Sequence, residues 1–572
     1  MNKLYTTEGE ELLKNNNIPW NTYPRPQLVR ESFYNLNGSW DFAETENSEL
    51  PESFPEKIRV PFAPQSLLSD IARNIPEEHF LFYRKSFRLP KEMHGKRIIL
   101  HIGAADQTAA VFLNKKCIGE HEGGYESFSF DITDEVSEEN ELVIRVFDHL
   151  SEKRLPYGKQ SAKRGGMWYT PISGIWQTVW IEAVPENYIR SLSIETGMDF
   201  AAIRTEGIGE GKLFLGEEVY PIKNGEATIH FDEPHLWSPE DPYLYSFRIE
   251  AGEDKIQSYF ALRSLSVKKF DGKMRLCLNE KPYFFHGVLD QGYFSDGIFT
   301  PADPILFEKD ILAMKKLGFN TIRKHIKVEH EQFYYDCDRL GMIVFQDMVN
   351  NGDYHFIRDT ALPTIGLKKR NDRRLHKDKE THAAFIRGME STVLQLKNHP
   401  CICYWTIFNE GWGQFDSENM YHLLKKLDSS RFIGTYSGWF KGAGSDTESE
   451  HCYFKPFRMK KSDKPIVLTE FGGYAMRPEG HIFNTENEYG YKHFGTREAF
   501  VSALVSLYEK EIIPAVKEGL CAAILTQISD VEDETNGLLS YDRKVEKVLP
   551  EEFLSVSEKL AHANDSISPF ML

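Results

Sequence analysis

Hydrophobic and polar positions follow two rhythms along the chain, and the change between them falls near Phe270. From about Gly38 to Glu182, short apolar runs alternate with polar positions at period two. Examples are Arg97–Ile102, Ala109–Leu113, Ser127–Ile132 and Glu141–Phe147, separated by Gly, Asn and Asp. Such runs bury one face of a strand and then turn, which predicts a β-sandwich. A smaller strand-rich stretch runs from Tyr188 to about Val267 with no helix-length periodic segment, and its size fits an immunoglobulin-like sandwich. After Phe270, continuous apolar runs alternate with helical stretches, the order that builds a parallel sheet covered by helices. Eight runs qualify as strands: Tyr283–Val288, Asn320–Lys324, Ile343–Asp347, Ile402–Phe408, Phe432–Tyr436, Glu450–Tyr453, Ile466–Glu470 and Ala522–Ile528. Eight parallel strands close a (β/α)₈ barrel. Helices are predicted at Ile305–Leu317, stopped by Gly318, at Glu331–Leu340, stopped by Gly341, and at Ala383–Lys397, stopped before Pro400.

Length and charge narrow the picture. A chain of 572 residues exceeds what one core can organise, so several domains are expected. A net charge of −18 disfavours nucleic acid and anionic membrane as partners. The N-terminal stretch has no apolar core with a cleavage site, and no apolar run is long enough to span a membrane, so a cytoplasmic location is the expectation. The seven cysteines are scattered without paired CxxC spacing, which suggests neither a disulfide framework nor a zinc site. Cys401 and Cys403 read as buried thiols on one strand face.

In such barrels the chemistry sits where strands end. One apolar run ends in Asn409-Glu410 followed by Gly411, and another ends in Thr469-Glu470 followed by Phe471, Gly472 and Gly473. The fourth and seventh strands lie on opposing sides of the mouth, so their carboxylates flank anything held over the axis. Glycoside hydrolysis needs such a pair: one acid to protonate the leaving oxygen, and one carboxylate to attack an oxocarbenium-like carbon. Asn409 offers an amide to a sugar hydroxyl.

At these residues the chain resembles glycoside hydrolase family 2, the family of β-galactosidases, β-glucuronidases and β-mannosidases. The resemblance extends over nearly the whole sequence. Tyr23-Pro-Arg-Pro-Gln27, Leu36-Asn-Gly-Ser-Trp40, Val60-Pro-Phe62, Tyr83-Arg-Lys-Ser-Phe87, His121-Glu-Gly-Gly-Tyr125 and Gly165-Gly-Met-Trp168 look like its sugar-binding jelly roll, as does Ser173-Gly-Ile-Trp176. Leu236-Trp-Ser-Pro and Phe260-Ala-Leu-Arg263 resemble its immunoglobulin-like module, although the family usually has Gly where Ala261 stands. The implied organisation is a jelly roll over 1–185, an immunoglobulin-like sandwich over 186–268 and a catalytic TIM barrel over 269–572. The implied chemistry is retaining, exo-acting hydrolysis of a terminal β-linked sugar, with Glu470 as nucleophile and Glu410 as acid/base. Other strand ends supply candidates for holding the sugar: Asp290, Arg323, His325 and Asp347, with Trp439 as a stacking platform. His451 and Tyr453 lie one strand before the nucleophile, where the family places a tyrosine that hydrogen-bonds it.

The pattern also departs from the family. Thr526, Gln527 and Ile528 stand where familiar members carry a tryptophan beneath the sugar, which makes Gln527 a candidate hydroxyl contact. The Asn-x-Lys motif of glucuronidases is absent, Gly165 and Gly166 replace a sodium-binding aspartate, and the Glu-x-His metal ligands of large β-galactosidases are not seen. No metal or cofactor is expected. A β-galactoside or related oligosaccharide is the default substrate. The alternatives are a β-uronide held by Lys324, Lys327 or the basic loop Lys368–Lys379, and a carbohydrate-binding protein without catalysis. A homo-oligomer is left open.

Overall fold

The computed structural model describes residues 1–15, 17–270, 272–364, 367, 372, 376–442 and 444–565. In the first domain, a six-stranded antiparallel sheet faces a four-stranded one. The large sheet is centred on Phe80–Arg88 and Glu139–Phe147, the small one on Val179–Val184 and Arg97–Ile102. Period-two alternation turns Trp40, Phe42, Tyr83, Leu100, Ile144 and Ile181 into the space between them. The second domain runs seven antiparallel strands from Ser191–Thr196 to Asp254–Phe260 around Ile203, Leu213, Ile249 and Ile256.

The barrel strands are β1 (Phe285–Asp290), β2 (Thr321–Lys324), β3 (Ile343–Asp347), β4 (Ile402–Asn409), β5 (Phe432–Ser437), β6 (Glu448–Cys452), β7 (Ile466–Gly472) and β8 (Leu520–Thr526). They pair in the order β5-β4-β3-β2-β1-β8-β7-β6, every ladder parallel. Each expected run contains a strand, with shifted ends. β1 starts later than its apolar run because Tyr283 donates its N–H back to Leu276 O (3.0 Å), in a small antiparallel sheet against the barrel floor. β8 starts earlier, at Leu520, which aligns with Ile466 of β7. β5 and β6 share no ladder. Their seam is bridged by Asp446 N–H to Ile433 O (2.9 Å) and by serine side chains, with Gly438 N–H reaching Ser449 Oγ at 3.3 Å.

Of the three expected helices, Ile305–Lys316 and Glu331–Leu340 agree within a residue. The third, Lys379–Leu396, begins four residues early because Asp378 caps it, accepting from Thr381 N–H at 2.9 Å. Most of the basic loop Lys368–Lys379, including Lys368–Asn371 and Arg373–Leu375, lies outside the described residues. No helix among the described residues is long and apolar enough to cross a membrane. The cysteines are free thiols, and Cys401 and Cys403 are buried.

Packing crosses two of the expected boundaries. Thr6 and Trp20 precede the jelly roll in sequence but pack on the barrel: Trp20 stacks on His330 at 4.1 Å, and Thr6 donates to Asp296. The division at 268/269 cuts the strand Leu265–Phe270, whose partner Lys273–Leu278 belongs to the sheet against the barrel floor. Apolar residues of the first domain, Leu150, Tyr157, Tyr169, Ile172 and Trp176, also join the barrel core. A loop of the first domain therefore lies over the barrel mouth.

The junction of the two sandwiches is held by Arg30. It is buried and bonds both carboxylate oxygens of Asp254 at 2.9 Å, Ile189 O at 2.6 Å and Glu182 at 3.5 Å. Arg30→Met leaves Asp254 buried without its counter-ion, which costs about 3–5 kcal/mol. Denaturant unfolding of this variant is expected to show the loss as a lower midpoint of the transition that reports the sandwiches.

Candidate active site

The site rests on a floor of aromatic rings inside the barrel. Phe345 stacks on Tyr404 at 4.6 Å, and Phe285 packs against Phe345 and Phe432 at 5.4 and 6.2 Å. One layer above, toward the strand C-termini, β2 turns Arg323 inward. Its side chain has no exposure. Nε and Nη2 bond Asp347 Oδ1 (3.0 Å) and Oδ2 (2.9 Å) on β3, and Nη2 also bonds Asn409 Oδ1 (2.9 Å) on β4. Nη1 bonds Thr469 O and Glu470 Oε1 on β7, each at 3.0 Å.

Glu470 is thus fixed from below through Oε1. Its Oε2 accepts the Tyr453 hydroxyl at 2.7 Å and lies 3.4 Å from His451 Nδ1. Burial alone would raise this carboxyl, but the charges of His451 and Arg323 and the Tyr453 bond outweigh it and hold it down at about 2. Glu470 is therefore ionised throughout the neutral range. Gly473 lets the surrounding aromatics close in: its φ is +63°, and a Cβ there would come within 2.4 Å of Tyr491, which stacks on Tyr453 at 3.9 Å.

Glu410 follows β4 directly, at φ +51°, in a left-handed conformation uncommon outside glycine. This turn is held by Glu410 N–H to Ser437 O at 2.9 Å. Glu410 Oε1 meets His451 Nδ1 at 2.8 Å, and the carboxyl is partly exposed. His451 Nε2 meets Ser437 Oγ at 2.7 Å, which leaves Nδ1 facing both carboxylates. One oxygen from each of Glu410 and Glu470 lies within 4.8 Å of the other. That closeness suits retention, for which the carboxyls stand about 5–5.5 Å apart, better than the roughly 6.5–9.5 Å of an inverting pair.

The remaining sequence candidates divide into two groups. Asn409 keeps its NH₂ outward because Arg323 occupies its oxygen. His325 donates through Nδ1 to Asp347 Oδ2 (2.8 Å), and burial lowers it to about 4 despite that bond, so its neutral ring presents Nε2 as an acceptor. These two can meet a sugar. Arg323 and Asp347 cannot, because their polar atoms are used on each other and on the catalytic strand ends; they position rather than contact. Asp290 binds Lys324 and accepts Gly292 N–H at 2.7 Å. Trp439, 7% exposed, packs against His451 with ring centroids 5.7 Å apart and planes at 68°. Gln527, 1% exposed, donates to Glu534 (3.0 Å) and Asn536 (2.7 Å) and keeps Oε1 without a protein partner.

The lysines expected to serve a uronate are also corrected. Lys324 is enclosed by Asp290 and Glu329, and Lys327 by Glu329, Gly292 O and Phe299 O. Sequence reasoning missed Ser437 and Thr526, which support His451 and Tyr453 (the latter pair at 2.9 Å), and Glu534. Their signal was only a polar residue at the end of an apolar strand.

Family models match in sequence order along the chain. "Glycosyl hydrolase 2 galactose-binding domain-like" matches residues 40–208, "Glycosyl hydrolases family 2" matches 202–263, and "Glycosyl hydrolases family 2, TIM barrel domain" matches 269–550. The chain belongs to glycoside hydrolase family 2. Among curated family 2 relatives, the β-galactosidase of Thermoanaerobacter pseudethanolicus is 24% identical over 70% of this chain, and human β-glucuronidase is 23% identical over 79% of this chain and 79% of its own length. The chain spans 55% and 58% of the first two curated relatives it matches. In fold it is similar to a β-glucuronidase of an uncultured Clostridium species (TM-score 0.71, 18% identity, 94% of this chain and 99% of that one). It is also similar to a β-galacturonidase from Eisenbergiella tayi (TM-score 0.66, 18% identity, 94% and 98%).

Two outcomes follow from the geometry. In Tyr453→Phe, Glu470 loses one charge-assisted bond worth about 1.5–3 kcal/mol. Because the ionised form is the working one, the acid limb of kcat/KM should move upward by roughly one to two pH units; an unmoved limb would count against the bond. Among the described residues, the one cluster able to chelate an ion is Glu410, His451 and Glu470 themselves. An ion there would occupy both carboxylates, so added zinc should inhibit and chelation should leave turnover unchanged. Activity lost on chelation and restored by magnesium would sink this expectation.

Proposed function

We propose that this chain is a retaining exo-β-glycosidase that removes a terminal β-linked sugar by double displacement. The observation that carries the reading is the pair of carboxylates at the ends of β4 and β7 joined through His451, one ionised and braced, the other partly exposed. Glu470 attacks the anomeric carbon while Glu410 protonates the departing oxygen, and a glycosyl–Glu470 ester forms. Glu410 then takes a proton from water, which attacks the same carbon and releases the sugar with its β configuration restored. Arg323 holds the nucleophile's angle, and Asn409, its amide fixed by Arg323, offers a donor to the hydroxyl beside the reacting carbon.

The curated relatives are named β-galactosidase and β-glucuronidase alike, so their names leave the glycone to be read from the pocket. Homo-oligomerisation is checked by light scattering under assay conditions.

Glu470→Ala is expected to abolish turnover of nitrophenyl β-glycosides. Glu410→Ala should slow aryl glycosides with poor leaving groups most, by roughly 10²–10⁴-fold, the usual range for a general acid. Proton NMR of the wild-type reaction should show the β-anomer first; an α-anomer as first product would exclude the double displacement.

A further inference from the structure

The loop that carries Lys159 belongs in sequence to the first domain, yet its neighbours fix it on the barrel mouth. Tyr157 and Gly158 donate their N–H groups to Asn350 O at 3.0 and 3.3 Å, just past β3. Gly158, at φ +65°, approaches the residue after His325 so closely that a Cβ would lie 2.9 Å from Ile326 O. On the other side, Tyr169 donates its N–H to Lys159 O at 3.1 Å and its hydroxyl to Glu534. Lys159 is thus clamped between the end of β2, with His325, and the loop after β8, with Glu534.

The Lys159 side chain is half-buried, and its ammonium makes no hydrogen bond or ion pair among the described residues. Its charge reaches both flanking groups, lowering His325 and Glu534 alike. Lys324 and Lys327 are enclosed by carboxylates, so of these three lysines only Lys159 has its ammonium unpaired among the described residues. Burial raises the Glu534 carboxyl, and its Oε2 already accepts from the Tyr169 hydroxyl and from Gln527 Nε2. Beside it, Gln527 Oε1 and Asn536 Nδ2 are buried without hydrogen-bond partners among the described residues, so polar groups on this wall have bonding capacity to spare.

We propose that Lys159 selects the glycone, its ammonium receiving the C6 carboxylate of a β-uronide between the end of β2, with His325, and the loop after β8, with Glu534. This rests on the reading of the chain as a retaining exo-β-glycosidase. A partly desolvated ammonium gains most from an ionised acceptor, which a neutral sugar hydroxyl does not provide. In a chain of net charge −18, the long-range field opposes an anionic substrate, so a local cation is required to hold one.

The test compares kcat/KM for nitrophenyl β-D-glucuronide, β-D-galacturonide, β-D-galactoside and β-D-glucoside in the wild type, Lys159→Gln and Lys159→Arg. Calorimetric binding of free glucuronic acid, galacturonic acid and galactose is measured alongside. The wild type should prefer a uronide. Lys159→Gln should lose roughly 10- to 100-fold on it while changing the neutral glycosides less than about threefold, and Lys159→Arg should restore much of the loss. A wild type that prefers neutral glycosides, or a Lys159→Gln loss equal on all substrates, would overturn the role of Lys159 and leave the glycosidase reading standing. A wild type that cleaves nothing would instead remove the glycosidase reading. In that case, uronic-acid binding that disappears in Lys159→Gln would still support the contact, and absence of such binding would overturn it.

Discussion

A guanidinium has five N–H donors in a fixed plane, and in Arg323 all five have acceptors. Those acceptors come from β3, β4 and β7. A cation with no solvent contact is tolerated only when every donor is satisfied and negative charge stands close by, which here means Asp347 and Glu470. The burial that makes Arg323 expensive also makes it rigid. Four strand ends are locked in register by one side chain, and the distance between Asn409-Glu410 and Glu470 is set by it.

The second constraint lies at the seam. The eight-stranded sheet has no ladder between β5 and β6, and side chains take over where backbone pairing stops. Ser437 on β5 holds His451 on β6, and Thr469 on β7 lies 3.0 Å from the same serine hydroxyl. The side chains that close the barrel are the ones that link the two catalytic carboxylates. Structural closure and alignment for the reaction are therefore one network, and a change in either disturbs the other.

In the proposed reading, reaction and selectivity are drawn from different parts of the chain. The carboxylates, Arg323 and His451 all come from the barrel. The wall of the pocket is built jointly by the loop after β8 and by the first domain, whose Tyr169 reaches Glu534 and whose Arg164 bonds Glu532 and Asp533. The first domain thus borders the site through these contacts, apart from the strand ends that carry the two carboxylates.

The sequence by itself determined the elements and the reacting pair. Period-two and helical patterning, Gly341 at one helix end and the strand-end position of Glu410 and Glu470 are local features, written within a few residues and read from them. The roles of the other polar residues were decided only in three dimensions. Arg323 and Lys324 look alike as basic residues ending one strand, yet one braces a nucleophile 147 positions away and the other is enclosed by Asp290 and Glu329. Lys159 carried no signal at all in its own surroundings, since nothing nearby in sequence shows that its loop lies over the barrel. Burial and ion pairing depend on partners that chain folding brings together from distant positions, and so the tertiary structure alone could separate a charge held inside from one left to meet a substrate.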